Sequence, residues 1–482
     1  RGMKRWELES AYARECERTT ELTRHVGEME AEMAALRAEV GPLKEMVAEL
    51  HKLAYRQAGR FRRDPDRLAK GKRPSGRRAG EGEWSRPAEP TEEQKAKAVD
   101  KASDLAACPD CSDPLTDWQD HVHYEWDIPP VVPVLTSFKS RSGYCARCKR
   151  RHRSRHLDQI SEATGAAGVI VGPRAKALAS DMKHYFGVSY GKISAFLETV
   201  YGMQFGRGGL YRADMRLATR AGPVYVELIE LVRRLAQVHV DETGWRIGTL
   251  SAWLWVFCGS DVTVYTIKRS RGHQVVLEIL GQQFQGRLTT DGLLTYEAAA
   301  LDAWLKQKCM AHILRRLKEM SASAQATHRA LATGMSAVLR EALALARTRT
   351  GADDCSYAEA AAAIEVRLDA LLVEHISDAD DDAARMARHL TKHRAALLPF
   401  LYHDGIEPTN NSAEQALRPA VITRKVGGCN RTVEGAHAHA VLASLGASCR
   451  SRGIPVLDFL VQILRATTAP PTFAAATLAA VD

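Results

Sequence analysis

No stretch of eighteen consecutive apolar residues occurs anywhere in the 482-residue chain, and a helix needs about that many to span a bilayer. The first residues are charged and helical in pattern, unlike the apolar core of a secretory leader. Both absences point to a soluble intracellular protein with no membrane partner. A disulfide framework is also lacking. Of ten cysteines, four form two Cys-x-x-Cys pairs and the rest are scattered, which suits a reducing compartment and one metal site. Acid is absent where base is dense: Lys139 to Arg155 holds eight Lys/Arg and no Asp or Glu, and Arg56 to Arg78 holds ten against two. With a formal net charge of +9 and a pI near 9.0, the balance favours a polyanionic partner.

At this length about three domains are expected. Leu22, Val26, Met29, Met33, Leu36, Val40, Leu43, Val47 and Leu50 step by four and three. Such heptads bury their seam only against another helix, so residues 1–55 read as a dimerising coiled coil or a helical hairpin. Gly41-Pro42 is expected to kink or restart the helix. Residues 56–107 lose all periodicity and read as a flexible basic linker in which Arg73, Arg77 and Arg78 could lie along phosphates.

Residues 108–156 carry Cys108, Cys111, Cys145 and Cys148, with 33 residues between the pairs and strand-like text at His121 to Trp126. Four thiolates in this arrangement match one tetrahedral, structural Zn²⁺, and two knuckles joined by a hairpin make a zinc ribbon. Arg147, Lys149, Arg150, Arg151 and Arg153 on or after the second knuckle are candidate phosphate contacts, a purely structural staple being the alternative. In residues 157–236, Ala175 to Phe186, a turn at Gly187-Val188-Ser189, and Tyr190 to Tyr201 have the length of a helix-turn-helix. Packing support for the next domain is the competing explanation.

Strands follow at Gln237 to Val240, Ala252 to Phe257 and Val262 to Ile267, then a helix from Gly272 to Leu280 and a strand at Arg287 to Thr290. This order is expected of a ribonuclease-H-like sheet with its first and fourth strands side by side. That adjacency would bring Asp241 and Asp291, each at a strand end, together across 49 intervening residues. A third acid, Glu414, lies at a helix start, separated from Asp291 by 122 residues that include an Ala-rich helical insertion at 321–403. Three such carboxylates are what a two-metal phosphodiester-cleaving site needs. Hard oxygen ligands favour Mg²⁺, two per site, with Mn²⁺ as an alternative; Asp241 would bridge the ions. Cys309 and His312 read as a packed, hydrogen-bonded pair. Arg418, Arg424 and Lys425, after the third acid, are candidate DNA contacts.

The block Thr409-Asn410-Asn411-Ser412-Ala413-Glu414-Gln415-Ala416-Leu417-Arg418-Pro419, with Val421 to Lys425 after it, resembles the third-carboxylate motif of bacterial DDE transposases of the insertion-sequence-sixty-six type. The resemblance extends to Asp241-Glu242-Thr243-Gly244-Trp245, Thr290-Asp291-Gly292, Cys309-x-x-His312, and Glu434-Gly435-Ala436 through Gly453. Gln415 stands where such proteins often have arginine. The resemblance implies a catalytic triad of Asp241, Asp291 and Glu414 that cleaves DNA at transposon ends and joins it to target DNA. It implies terminal inverted repeats and target DNA as partners, accessory proteins of the element, a homodimer or higher oligomer, and a cytoplasmic, nucleoid-associated location. A catalytically silent DNA-binding regulator, or a nuclease without strand transfer, are the alternatives. The expected architecture is multidomain α/β: a ribonuclease-H-like catalytic domain at 237–320 and 404–433, interrupted by the helical insertion, with C-terminal helices at 434–482.

Overall fold

The computed structural model describes residues 5–58, 89–101, 103, 107–119, 121–128, 131–156, 158–159, 170–292, 294–349, 355–377 and 381–474. The chain divides into two compact units, residues 1–127 and 128–482. In the first, α1 (Arg5–Ala58) runs through Gly41-Pro42 as one helix, so of the expected kink or restart the restart does not occur. A helical proline removes one amide donor, and on a water-exposed helix the carbonyl it orphans can bond to solvent. The seam residues Leu22, Val26, Met29, Met33, Leu36, Val40 and Val47 are all exposed. The expected linker is not wholly irregular, because Thr91 caps a short helix, α2 (Glu92–Ala96), in a reciprocal box with Gln94.

In the second unit β1 (Ser142–Cys145) and β2 (Arg150–Arg153) form an antiparallel hairpin. Helices α3 (Pro173–His184), α4 (Tyr190–Tyr201) and α5 (Arg207–Arg233) follow. Gly187 turns the chain between α3 and α4 with φ +72°, and a Cβ there would lie 2.8 Å from Thr423 Oγ1. Glycine is therefore required both by conformation and by close approach. Helix α3 is fastened to its surroundings by an Asp181–Arg450 ion pair at 2.7 Å and by the buried contacts of His184 with Asp214 and His439.

The central sheet holds β3 (Gln237–Ile247), β4 (Leu250–Cys258), β5 (Thr263–Lys268), β6 (Arg287–Thr290) and β7 (Lys306–Lys308) in the order β5-β4-β3-β6-β7. The first three strands are antiparallel neighbours, while β6 runs parallel to β3 and β7 parallel to β6. This mixed sheet, with α6 (Gln274–Leu280) between β5 and β6, is consistent with a ribonuclease-H-like domain. Alternation along β3 sorts its side chains: Val238 and Val240 join a core with Trp255, Phe257 and helix α5, while Trp245 packs with Leu254 and Val256 under Ala413 and Leu417.

Helices α7 (Met310–Met320), α8 (Ala326–Ala346), α9 (Cys355–His375) and α10 (Asp382–Lys392) share a separate core, to which α7 gives Met310, Ile313, Leu317 and Met320. Three helices complete the order: α11 (Asn411–Gly427), α12 (Val433–Ser451) and α13 (Val456–Arg465). Among the described residues no helix is long and apolar enough to cross a membrane.

Candidate active site

The parallel register sets Gln237 opposite Arg287, Val238 opposite Leu288 and His239 opposite Thr289. Continued two places, it brings Asp241 level with Asp291, one residue past the end of β6. Asp241 itself is not at a strand end, as the sequence suggested. It pairs with Val256 of β4, and β3 runs on to Ile247. What stops short of this level is the parallel pairing with β6, whose last pair is His239 with Thr289. Gly244 likewise lies within the strand, and the chain turns instead at Gly248, with φ +61°.

Glu414 reaches this end of the sheet from the first turn of α11. A chain of hydrogen bonds ties the three acid-bearing segments together. Cys309 N donates to Thr290 O at 3.1 Å, and Asn410 N donates to Cys309 Sγ at 3.1 Å. Asn410 Nδ2 then donates to Val240 O at 2.8 Å. Val240 and Thr290 immediately precede Asp241 and Asp291, and Asn410 O accepts from Glu414 N at 3.1 Å. Asn410 is fully buried, so removing its amide would orphan the Val240 carbonyl, at about 1–3 kcal/mol. The carboxylates themselves are less closely joined than the backbone that carries them. Glu414 Oε1 faces His312 Nε2 at 3.6 Å. Among the described residues no three His, Cys, Asp or Glu side chains come close enough together to hold a metal ion.

Behind Asp241 lies a second set of groups that sequence reasoning passed over. Alternation turns Glu242 to the opposite face of β3, where it is buried and accepts hydrogen bonds from Tyr296 Oη at 2.7 Å and Arg271 Nε at 3.0 Å. Burial pushes its carboxyl above the usual range, the Tyr296 and Arg271 bonds oppose that, and the Asp291 charge adds to it. On the other flank Lys308, level with Thr290 across the parallel β6–β7 pair, is ion-paired with Glu297, whose Oε2 lies 3.2 Å from His393 Nδ1. Burial, reinforced by Lys308, depresses His393 to about 4. The adjacent acid in Asp241-Glu242 was the one visible hint of the first set; nothing local announced the second. Cys309 and His312, expected to pair, are hydrogen-bonded through the backbone, His312 N donating to Cys309 O at 3.2 Å, while their side chains face different partners: the thiol accepts from Asn410, and the ring faces Glu414.

The expected DNA contacts divide. Arg73, Arg77 and Arg78 lie outside the described residues. Arg147, Lys149, Arg150, Arg151 and Arg153 are all exposed on the β1–β2 hairpin, where Lys149 has φ +52°. Arg418 and Lys425 are exposed on α11. Arg424 turns inward, donating to Thr243 Oγ1 at 3.1 Å and to Gly244 O.

Each cysteine pair forms its own turn. Backbone amides of Cys111 and Asp110 lower the Cys108 thiol, and the Cys148 and Arg147 amides, with the Cys148 side chain, lower Cys145. Amides aimed at a sulfur favour thiolate, the form that ligates metal. The strand expected at His121 to Trp126 is absent: 121–128 are irregular, with Val122, Tyr124 and Trp126 exposed. The observed β1–β2 hairpin is closed by the turn that carries Cys145 and Cys148.

A five-stranded mixed sheet with acids placed at the shared end of its parallel strands defines the class: a mixed α/β protein consistent with a ribonuclease-H-like DDE domain. The chain belongs to the family described as Transposase IS66 family, whose model matches residues 168–438, more than half its length. Two curated relatives from Sinorhizobium fredii are both described as uncharacterized. Protein y4qI is 26% identical over 268 residues, 49% of this chain and 49% of its own. Protein y4jD is 25% identical over 292 residues, 55% of this chain and 56% of its own. The chain thus spans about half the length of the curated relatives it matches.

Proposed function

We propose that this chain is a DNA transposase in which Asp241, Asp291 and Glu414 form one catalytic site. The observation that carries the reading is the hydrogen-bond chain through Thr290, Cys309, Asn410 and Val240, which fixes the three acid-bearing segments against one another. The donor chemistry fits a hard divalent cation, Mg²⁺ or Mn²⁺, since all three groups are carboxylates. A pair of such ions, when bound, supplies charge neutralisation at the phosphate and activation of an oxygen nucleophile. The protein's own part is placement. Asp241 on β3 and Asp291 just past the end of β6 stand level by the extended register, and Glu414 completes the set by rotating away from His312. Water would attack the phosphodiester at a transposon end, releasing a 3′-hydroxyl, and that hydroxyl would then attack target DNA.

The remaining segments serve this chemistry in the same reading. Residues 108–156, with Cys108, Cys111, Cys145 and Cys148 holding one structural Zn²⁺, present Arg147 to Arg153 to phosphates. The exposed seam of α1 pairs with a second copy, which sedimentation of the full chain as a monomer would exclude. Incubating the protein with Mg²⁺ and DNA bearing the element's ends, then resolving cut and joined products, tests the whole proposal. Cut and joined products are expected. Cutting without joining would indicate a nuclease, and binding without cutting a regulator.

A further inference from the structure

Beyond the acids, the end of β3 and the last turn of α11 with the residues after it line an open groove of about 700 Å³. Its lining includes Gly244, Arg246, Gly248, Arg424, Gly428 and Arg431, and no Asp or Glu. Pockets of this size accept sizeable ligands, but arginine and glycine backbone are the chemistry of an anion cradle, not of an apolar guest. The walls are built. Asn430 O accepts from Gly248 N at 2.9 Å, Asn430 Oδ1 accepts from Trp245 Nε1 at 2.9 Å, and the Trp245 ring stacks on the buried His439 with centroids 5.4 Å apart. Arg424 bolts the two walls together through Thr243 and Gly244. Arg246 and Arg431 are exposed, and among the described residues neither makes an ion pair.

Distance along the two elements locates the groove relative to the acids. Gly244 lies three residues beyond Asp241 on β3, about 10 Å away at the rise of a strand. Arg424 and Gly427 lie ten and thirteen residues beyond Glu414 on α11, about 15 and 20 Å away at the helical rise. A duplex strand carries one phosphate per roughly 3.4 Å, so the groove sits about three to six phosphates from the acids. We infer that it is a second binding site for the DNA backbone, in which Arg246 and Arg431 neutralise phosphates on the strand being cut. The inference rests on the reading of the acids as a DNA-cleaving site.

The test uses the full chain and duplex DNA bearing the element's ends. Uncharged methylphosphonate links, placed singly along the strand, should weaken binding most at about three to six phosphates from the cut. The Arg246→Ala, Arg431→Ala double variant should lose that position dependence and lower the slope of log affinity against log salt by about 2. A wild-type scan with no loss in that window would overturn the groove, and so would a double variant of unchanged slope. The wild-type scan needs no variant, so misfolding cannot mask the outcome. Failure of the wild type to bind DNA at all would instead remove the underlying functional reading.

Discussion

Asn410 spends its side-chain amide on a strand carbonyl and its backbone amide on a thiol, so one buried residue holds two acid-bearing segments in place. Asn410→Ala should therefore destabilise the protein by about 1–3 kcal/mol. It should also lower the cleavage rate while DNA affinity stays near that of the wild type. Denaturant melts and a cleavage time course check both, and a full-rate, destabilised variant would leave Asn410 with a purely structural part. His393 gives a pH prediction. Its folded value lies near 4, below the usual 6.5, so it contributes stability that is present above about 6.5 and lost as pH falls toward about 4. His393→Gln should accordingly flatten the fall in urea midpoint between about pH 7 and about pH 5, and an unchanged fall would show that other groups carry it. At this scale the sequence was partly legible. Asp241, Asp291 and Glu414 stood out because each ends a recognisable local pattern, but Glu242, Arg271 and Tyr296 meet across more than fifty positions and no local pattern predicts that.

Among the elements, β3, β4, β5 and β6 were readable because alternation and β-branched residues mark half-buried strands. The three residues of β7, Lys306-Gln307-Lys308, were not. A short polar strand shows no periodicity, and only its pairing with β6 makes it one. The extension of β3 past Asp241 was missed for a related reason. Glu242, Thr243 and Gly244 look like a turn in isolation, and nine pairings with β4 override that preference. Conversely, His121 to Trp126 alternates like a strand and forms none, for it has no described partner and its large side chains face water. The cysteine pairs were visible by spacing alone. Replacing Cys108 and Cys111 by serine should reduce bound zinc from about one per chain to none, measured by elemental analysis, while the helices and sheet of residues 170–474 keep their melting transition. Retained stoichiometric zinc would place its ligands elsewhere.

For the molecule as a whole, charge asymmetry together with two strand-end aspartates and a helix-start glutamate points in the sequence to a nucleic-acid enzyme, and membership of the Transposase IS66 family agrees with that direction. What composition could not reveal is how a helical region with its own core is spliced between the second and third acids while the backbone segments that carry them stay hydrogen-bonded to one another. Met310 N bonding to Pro408 O at 2.9 Å shows how: the chain leaves and re-enters at one point. The central claim is that the three acids work as a unit. Residues acting as a unit cost as much singly as together. The decisive measurement is the rate of DNA-end cleavage in Mg²⁺ for Asp241→Asn, Asp291→Asn, Glu414→Gln and the Asp241→Asn, Glu414→Gln pair, with DNA binding followed in parallel. We expect every single variant to bind DNA yet lose cleavage by about 10³-fold or more, with the pair no slower than either member. Undiminished cleavage by any single variant, or losses that simply multiply in the pair, would contradict the account.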